Sequence, residues 1–382
     1  MKIEIITTGD EVMQGVIVDT NTAWIAERCW AFGFEIVRHT SIGDDANAIA
    51  DALKQAAKRA DVVMVTGGLG PTADDITLET AAKAFGKKLI RNEGAAVLEN
   101  RVGTAPGIRV KLGAAEFFFL PGVPKELYQI FEDSVMPWLK EHAQATYAVR
   151  VLRCFGIPEA SIDTKLSSIE LGEARLSFRV KFPEILLKLV ARGKDPIKAQ
   201  KAVDDAAHNI MNKLGDVVYG QGEATLAEVV GTLLKQKGFT LSVAESCTGG
   251  LMCSMITDVP GASDYFERGA VCYSNLSKQQ MLGVPGKVIE SEGAVSKDTV
   301  ISMAEGIRRE SKTDIGVGIT GIAGPSGGTP NKPVGTVHIA LATPDGTWAR
   351  EYHYERDRLW FKQIVAATAL DMVRKYLLKS EL

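Results

Sequence analysis

The 382-residue chain has almost no excess charge of either sign: 44 Lys and Arg stand against 47 Asp and Glu, a net charge of −3. A balance this close gives no strong global pull on a phosphate backbone, so tight non-specific nucleic-acid binding is not expected. No apolar run approaches the ~18 residues of a membrane span. The opening MKIEIITTGDE lacks a basic region followed by an apolar stretch, so neither a membrane segment nor a signal peptide is expected. The five cysteines, Cys29, Cys154, Cys247, Cys253 and Cys272, form an odd set without a CxxC pair. That pattern fits reduced thiols in a cytoplasmic protein better than a disulfide framework. Low-complexity tracts and a repeated motif are also missing. What remains is an ordinary globular composition, 46% hydrophobic and 24% charged, long enough for two or three domains.

The first part alternates strand and helix. Residues 2–8 and 34–40 are β-branched runs, 20–32 and 45–60 are helical in period, and 61–66 (DVVMVT) is a buried strand. Thr20 or Asn21 is the expected cap of the first helix. This order predicts a parallel sheet covered by helices on both faces, with ligands at the C-terminal strand ends. Further strands are expected at 117–120 and 147–155, with a helix from Lys125 to about Glu141 between them. Residues 175–192 read as a hairpin with Pro183 near its turn. A helix from 195 to 214 and a strand at 216–219 complete a small β-β-α-β unit. The last part opens with a helix at 225–237 and a strand at 239–244. Strands near 269–273, 314–319 and 334–342 alternate with helices at about 249–257, 297–311 and 359–379, a second α/β domain. The expected domains are 1–165, 166–222 and 223–382.

Two loops of the first domain could bind an anion or a metal. One carries Asp10, Glu11, Asp19 and Asn21. The other, 66–77, carries Gly67, Gly68, Gly70, Asp74 and Asp75 between a buried strand and a helix. Glycines let backbone N–H groups approach a phosphate, and Asp74 with Asp75 could hold a bridging divalent cation. The same aspartates could equally cap the helix.

In the last domain, Ala244-Glu245-Ser246-Cys247-Thr248-Gly249-Gly250 lies where a strand turns into a helix. A serine there is an N-cap, or a nucleophile whose oxyanion hole is made by helix N–H groups. A serine nucleophile needs a base. His338 and His353 fall in strand-like segments, which leaves Lys278, downstream in Tyr273-Ser274-Asn275-Leu276-Ser277-Lys278. To serve as a base near pH 7 a lysine pKa must fall by roughly 3, through burial or a neighbouring cation such as Arg358. Cys247 is a rival nucleophile without a histidine partner. The glycine-dense stretch 316–328 is costly in chain entropy and suits wrapping around a phosphate or ribose.

These motifs carry a resemblance. Gly67, Gly68, Gly70, Asp75 and Thr77, followed by GTAPG at 103–107 and LPGVPKEL at 120–127, resemble the molybdopterin-binding fold as it occurs at the N-terminus of the CinA family. AESCTGG, YSNLSK and GITGIAGPSGG leading to KPVGTVH resemble that family's C-terminal domain, which also occurs alone as the PncC-type amidase. The unit between them is similar to the family's KH-like module, although it contains no GXXG loop of the kind nucleic-acid-binding KH domains use. The resemblance implies a nicotinamide-nucleotide amidase that converts nicotinamide mononucleotide and water to nicotinate mononucleotide and ammonia, in pyridine-nucleotide salvage. It implies Ser246 as nucleophile, Lys278 as base and Tyr273 as a catalytic contact. Cys247, Thr248, Gly249, Asn275, Thr320, Gly321, Gly324 and Arg358 would bind substrate. The amidase would need no cofactor. For the N-terminal domain the resemblance implies a divalent-metal-dependent ADP-ribose pyrophosphatase. Two departures stand out. Residues 86–102 leave little room for a helical segment and N-x-K-Q-A stretch that the family carries, and the family's G-D-R-x-x-V-R element reads Arg356-Asp357-Arg358-Leu359-Trp360-Phe361-Lys362. The competing expectation is a non-catalytic nucleotide or pterin-binding module. Expected partners are a small nucleotide and a second copy of the chain in a homodimer, with neither nucleic acid nor membrane.

Overall fold

A computed structural model describes the chain except residues 71, 73–74, 88–94, 144–145 and 381–382. It divides into two compact units. One comprises residues 1–149, 172–175 and 190–204; the other comprises 150–171, 176–189 and 205–382.

The N-terminal part runs β1 (Ile3–Thr8), α1 (Asp10–Met13), α2 (Thr20–Ala31), β2 (Ile36–Ile42), α3 (Ala46–Arg59), β3 (Val62–Thr66) and α4 (Thr77–Ala84). It continues with β4 (Ala95–Leu98), β5 (Gly107–Leu112), β6 (Ala115–Leu120), α5 (Pro124–Ile130), a π-helical turn at Phe131–Val135, and α6 (Met136–His142). The sheet order is β2-β1-β3-β6-β5-β4. Its first four strands are parallel, as the strand–helix alternation predicts for β1, β2 and β3, and β5 and β4 extend the sheet in antiparallel pairings. The cause is local. Only Gly113 and Ala114 separate β5 from β6, and a parallel connection needs a dozen or more residues. The central strands are buried on both faces. Ile3, Ile5, Val62, Met64, Phe118 and Leu120 face the layer built from α2, α5 and α6. Ile6, Val63, Val65, Phe117 and Phe119 face α3 and α4. The cap of α2 is Asp19, whose Oδ1 accepts from Thr22 N–H at 2.8 Å, not Thr20 or Asn21.

The middle elements are β7 (Thr146–Cys154), α7 (Glu159–Leu166), β8 (Arg175–Lys181), β9 (Glu184–Gly193), α8 (Pro196–Leu214) and β10 (Val218–Gln221), in a sheet ordered β10-β7-β9-β8. The expected hairpin is present, with Phe182 and Pro183 at its turn, and the strand expected at 147–155 pairs in this sheet.

The C-terminal part runs α9 (Leu226–Lys237), β11 (Leu241–Glu245), α10 (Leu251–Thr257), β12 (Phe266–Val271), α11 (Asn275–Leu282), α12 (Gly286–Glu292), α13 (Lys297–Ser311), β13 (Ile315–Gly321), β14 (Thr336–Thr343), β15 (Gly346–His353) and α14 (Arg358–Leu378). Thr225 and Glu228 form a capping box at the head of α9, and Gly238 ends that helix with φ 65°. The sheet order is β12-β11-β13-β14-β15, parallel over the first three strands and antiparallel over the last two. Helices α9, α10 and α14 cover one face, and α11 and α13 cover the other. For β15 the sequence pattern marks only the segment around His353 as strand-like. It is an edge strand, mostly exposed, and carries no clean apolar alternation. Among the described residues no helix is long and apolar enough to cross a membrane.

Candidate active site

Strand β11 lies between β12 and β13, so the chain leaves its C-terminal end where the connections diverge to opposite sides. A crevice opens at such a point. Ser246 follows directly. Its N–H donates to the Ile319 carbonyl at 3.0 Å, which extends the β11–β13 register by one bond and holds Ser246 at the sheet edge. Gly249 and Gly250, at φ 63° and 93°, then turn the chain into α10, a conformation that strongly favours glycine.

The buried Glu245 carboxylate sits under this turn and accepts from the N–H groups of Gly250 (3.0 Å), Met252 (3.3 Å) and Cys253 (2.8 Å). Glu245 thus takes up the Gly250, Met252 and Cys253 N–H groups at the head of α10. The Cys247 and Thr248 N–H groups differ. They face the Cys247 sulfur, a weak acceptor, and among the described residues they donate to no backbone carbonyl. Glu245→Ala strands three N–H donors, one fully buried and two partly so, and should cost about 2–3 kcal/mol, seen as a lowered transition of the second unit in scanning calorimetry.

Lys278 enters from the first turns of α11, which Ser274 caps by accepting from Ser277 N–H at 3.0 Å. Its side chain is 1% exposed. Nζ bonds Ser246 Oγ at 3.1 Å, the Cys272 carbonyl at 2.9 Å and the Tyr273 carbonyl at 3.2 Å. No carboxylate is among these partners. Burial therefore lowers the Lys278 pKa below its ordinary value, against a smaller raising influence of Cys272 and Cys247. Burial, not Arg358, supplies the effect. The same burial pushes the Cys247 thiol up to about 12, so it stays protonated near neutrality and is a poor nucleophile.

Arg358, the first residue of α14, donates from Nη1 to the Gly324 carbonyl at 2.9 Å and from Nη2 to the Tyr273 hydroxyl at 3.0 Å. One guanidinium thus ties the glycine-rich loop to the tyrosine. Among the described residues it has no carboxylate partner. The Thr320 hydroxyl donates to the Ala294 carbonyl at 2.7 Å, so Thr320 fixes the loop as well as lining the cleft. Ser246, Cys247, Tyr273, Lys278, Thr320, Gly321 and Arg358 line one cleft of about 190 Å³. Gly249 and Gly324 lie beside it: Gly249 is near the Lys362 ammonium, and Gly324 is bonded to Arg358. The Thr248 hydroxyl is buried and, among the described residues, has no partner. Asn275 is exposed at the head of α11 and does not line the cleft, nor do His338 and His353. Sequence patterns did not signal the Glu245 cap or the link between Arg358 and Tyr273, because both join residues whose roles appear only in three dimensions.

The N-terminal cluster is built differently. Asp19 Oδ2 accepts from the Thr7 hydroxyl at 2.7 Å and its Oδ1 caps α2. Asn21 donates to Thr66 Oγ1 at 3.2 Å and to the Gly122 carbonyl at 2.7 Å, while its buried Oδ1 has no partner among the described residues. Gly67 and Gly68 have positive φ and pack against Thr8 and Thr77, where a Cβ would collide. Asp75 accepts from the Thr72 N–H (2.9 Å) and hydroxyl (2.5 Å), and a Cβ on Gly70 would strike its carboxylate. Burial alone would raise the Asp75 pKa, but the bonds from Thr72 and the Gly70 N–H outweigh it and lower it. Asp10 is paired reciprocally with Asp44 through backbone N–H groups at 3.0 Å, and Glu11 folds back over Gly9. Asp74 lies outside the described residues. Among those described, no three acidic, His or Cys side chains come close enough to hold a metal ion.

Comparisons with known proteins follow the same three parts. Residues 4–141 match the family model "Probable molybdopterin binding domain", 149–220 match "Damage-inducible protein CinA KH domain", and 223–377 match "CinA C-terminal domain". A CinA-like protein of Syntrophotalea carbinolica is 41% identical over 409 residues, covering 99% of this chain and 98% of that protein. One of Geotalea uraniireducens is 38% identical over 411 residues, covering 99% and 98%. Both alignments are longer than this chain, so each relative carries residues that are absent here. A solved structure of the competence/damage inducible protein CihA from Agrobacterium tumefaciens is 39% identical, with a TM-score of 0.38, over 38% of this chain and 90% of that one. Matched in all three parts and at about 40% identity along nearly its whole length, the chain belongs to the CinA family.

Proposed function

We propose that the C-terminal domain is a serine amidase that hydrolyses the carboxamide of nicotinamide mononucleotide. The observation that carries this is the buried Lys278 ammonium nitrogen, 3.1 Å from Ser246 Oγ and free of any carboxylate. A lysine held this way loses its proton more readily and can take one from the serine. Ser246 Oγ attacks the carboxamide carbon as Lys278 accepts the hydroxyl proton. The Cys247 and Thr248 N–H groups stabilise the oxyanion. The tetrahedral intermediate collapses with C–N cleavage, Lys278 returns the proton to the leaving nitrogen, and ammonia departs. Water, deprotonated by Lys278, then attacks the ester, and nicotinate mononucleotide is released with Ser246 regenerated. No metal enters these steps. A cleft of about 190 Å³ suits a ring-sized group, so the charged end of the nucleotide extends toward Arg358 and Lys362.

The test is ammonia release from nicotinamide mononucleotide with a chelator present, wild type beside Ser246→Ala. Turnover lost only in the variant supports the reading. Absence of turnover in the wild type overturns it, and tight nucleotide binding in that case would favour the non-catalytic module. Arg358→Ala should raise KM roughly 10- to 100-fold while kcat changes much less, since it removes a charge-assisted contact to the anionic end. Arg358→Lys should not rescue, because one ammonium cannot hold Gly324, Tyr273 and an anion together.

For the N-terminal domain, divalent-metal-dependent ADP-ribose hydrolysis rests on family resemblance alone. We also read the working form as a cytoplasmic homodimer acting on a free nucleotide, without nucleic acid or membrane.

A further inference from the structure

The first turn of α14 carries Arg358, and that turn is held by more than its own cap. Asp357 Oδ1 accepts from the N–H groups of Leu359 and Trp360, each at 3.0 Å. The Trp360 ring has three further neighbours. Tyr354 meets it edge-on at 6.2 Å, the Arg356 guanidinium lies 5.8 Å from its centroid, and Phe182 stacks on it at 4.6 Å with a 23° interplanar angle. Phe182 does not come from the amidase domain. It is the tip of the β8–β9 hairpin in the middle module, some 180 residues upstream of Trp360 in the chain. Tyr354 is itself anchored, its hydroxyl 3.0 Å from Thr368 Oγ1 on α14. One face of Trp360 thus rests on the C-terminal domain and another on the hairpin.

We infer that Phe182 is a positioning residue for the amidase: through Trp360 it fixes the first turn of α14, and so the Arg358 guanidinium that meets the anionic end of the substrate. This inference rests on the amidase reading and extends it, because it gives the middle module a part in substrate binding that needs no nucleic acid. The physical case is directional. Phe182 touches neither Ser246 nor Lys278, which are fixed by β11 and α11, so its loss should leave the chemical step intact. It should loosen only the end of the cleft that α14 supplies.

The experiment measures kcat and KM for nicotinamide mononucleotide in the full chain with Phe182→Ala, Phe182→Leu and Phe182→Tyr. For Phe182→Ala we expect KM to rise roughly three- to tenfold, a size within reach of one lost aromatic pair, with kcat within about twofold of wild type. Phe182→Tyr keeps the ring and should restore the wild-type KM; Phe182→Leu should fall between, and serves in place of the alanine variant if that one fails to fold. An unchanged KM in the alanine or leucine variant overturns the inference, as does a loss confined to kcat or a tyrosine variant no better than alanine. Failure of the wild type to release ammonia is a separate outcome, which takes down the amidase reading and this inference with it.

Discussion

Ser246→Ala is expected to lower ammonia release from nicotinamide mononucleotide by about 10⁴-fold or more, as removal of a nucleophile does in a hydrolase whose catalytic groups act as a unit. The variant removes one hydroxyl and little else. Lys278 keeps its bonds to the Cys272 and Tyr273 carbonyls, and the Ser246 N–H keeps its bond to Ile319, since that bond belongs to the backbone. The turn should hold its shape, and nucleotide binding measured by calorimetry should stay within a few-fold of wild type. That combination, lost turnover with kept binding, distinguishes a nucleophile from a helix cap. A variant that still turns over would mean that water attacks directly and that Ser246 is structural.

Lys278→Met and Lys278→Arg are both expected to lose about 10³-fold in kcat, the scale of a positioned general base. Methionine fills the volume without a basic nitrogen. Arginine keeps the charge and the donors but cannot be deprotonated near neutral pH. Equal loss in both therefore identifies proton transfer as the role, whereas activity in the arginine variant would reduce Lys278 to an electrostatic contact. The pH profile gives a second reading of the same group. Lys278 is active as the neutral amine, so kcat/KM should rise with pH as the ammonium loses its proton. Because burial disfavours the ammonium, the inflection should lie below the ordinary lysine value, and the protonated form at lower pH is the inactive one. A profile that falls with pH across that range would reverse the assignment.

The legible and illegible parts of the chain divide along physical lines. Helices with a cap and a stop were readable to within a residue or two: α13 runs from Lys297 to Ser311, and α9 starts at its Thr225 cap and stops at Gly238. The buried strands β1 and β3 were readable because a strand covered on both faces is a continuous β-branched run. Three strands at sheet margins were not readable in full: β15 is mostly exposed and carries no clean alternation, and β4 and β5 acquire their antiparallel direction from hairpin geometry that no single residue announces.

The candidate site splits the same way. The sequence by itself determined the residue types, Ser246 at a strand-to-helix turn and Lys278 behind a serine cap, because local backbone geometry constrains the identity of neighbouring residues. It also excluded the histidines by placing them in strands. Only the tertiary structure decided between the open alternatives, because each depends on burial. Cys247 is set aside by the burial that keeps its thiol protonated, and Lys278 is qualified by the burial that lowers its pKa. The bonds that Asp75 accepts from Thr72 likewise appear only in the fold. Burial and hydrogen-bond partnership are properties of residues far apart in the chain, as Ser246 is from Lys278 and Phe182 from Trp360, and they come into being only when the chain closes on itself.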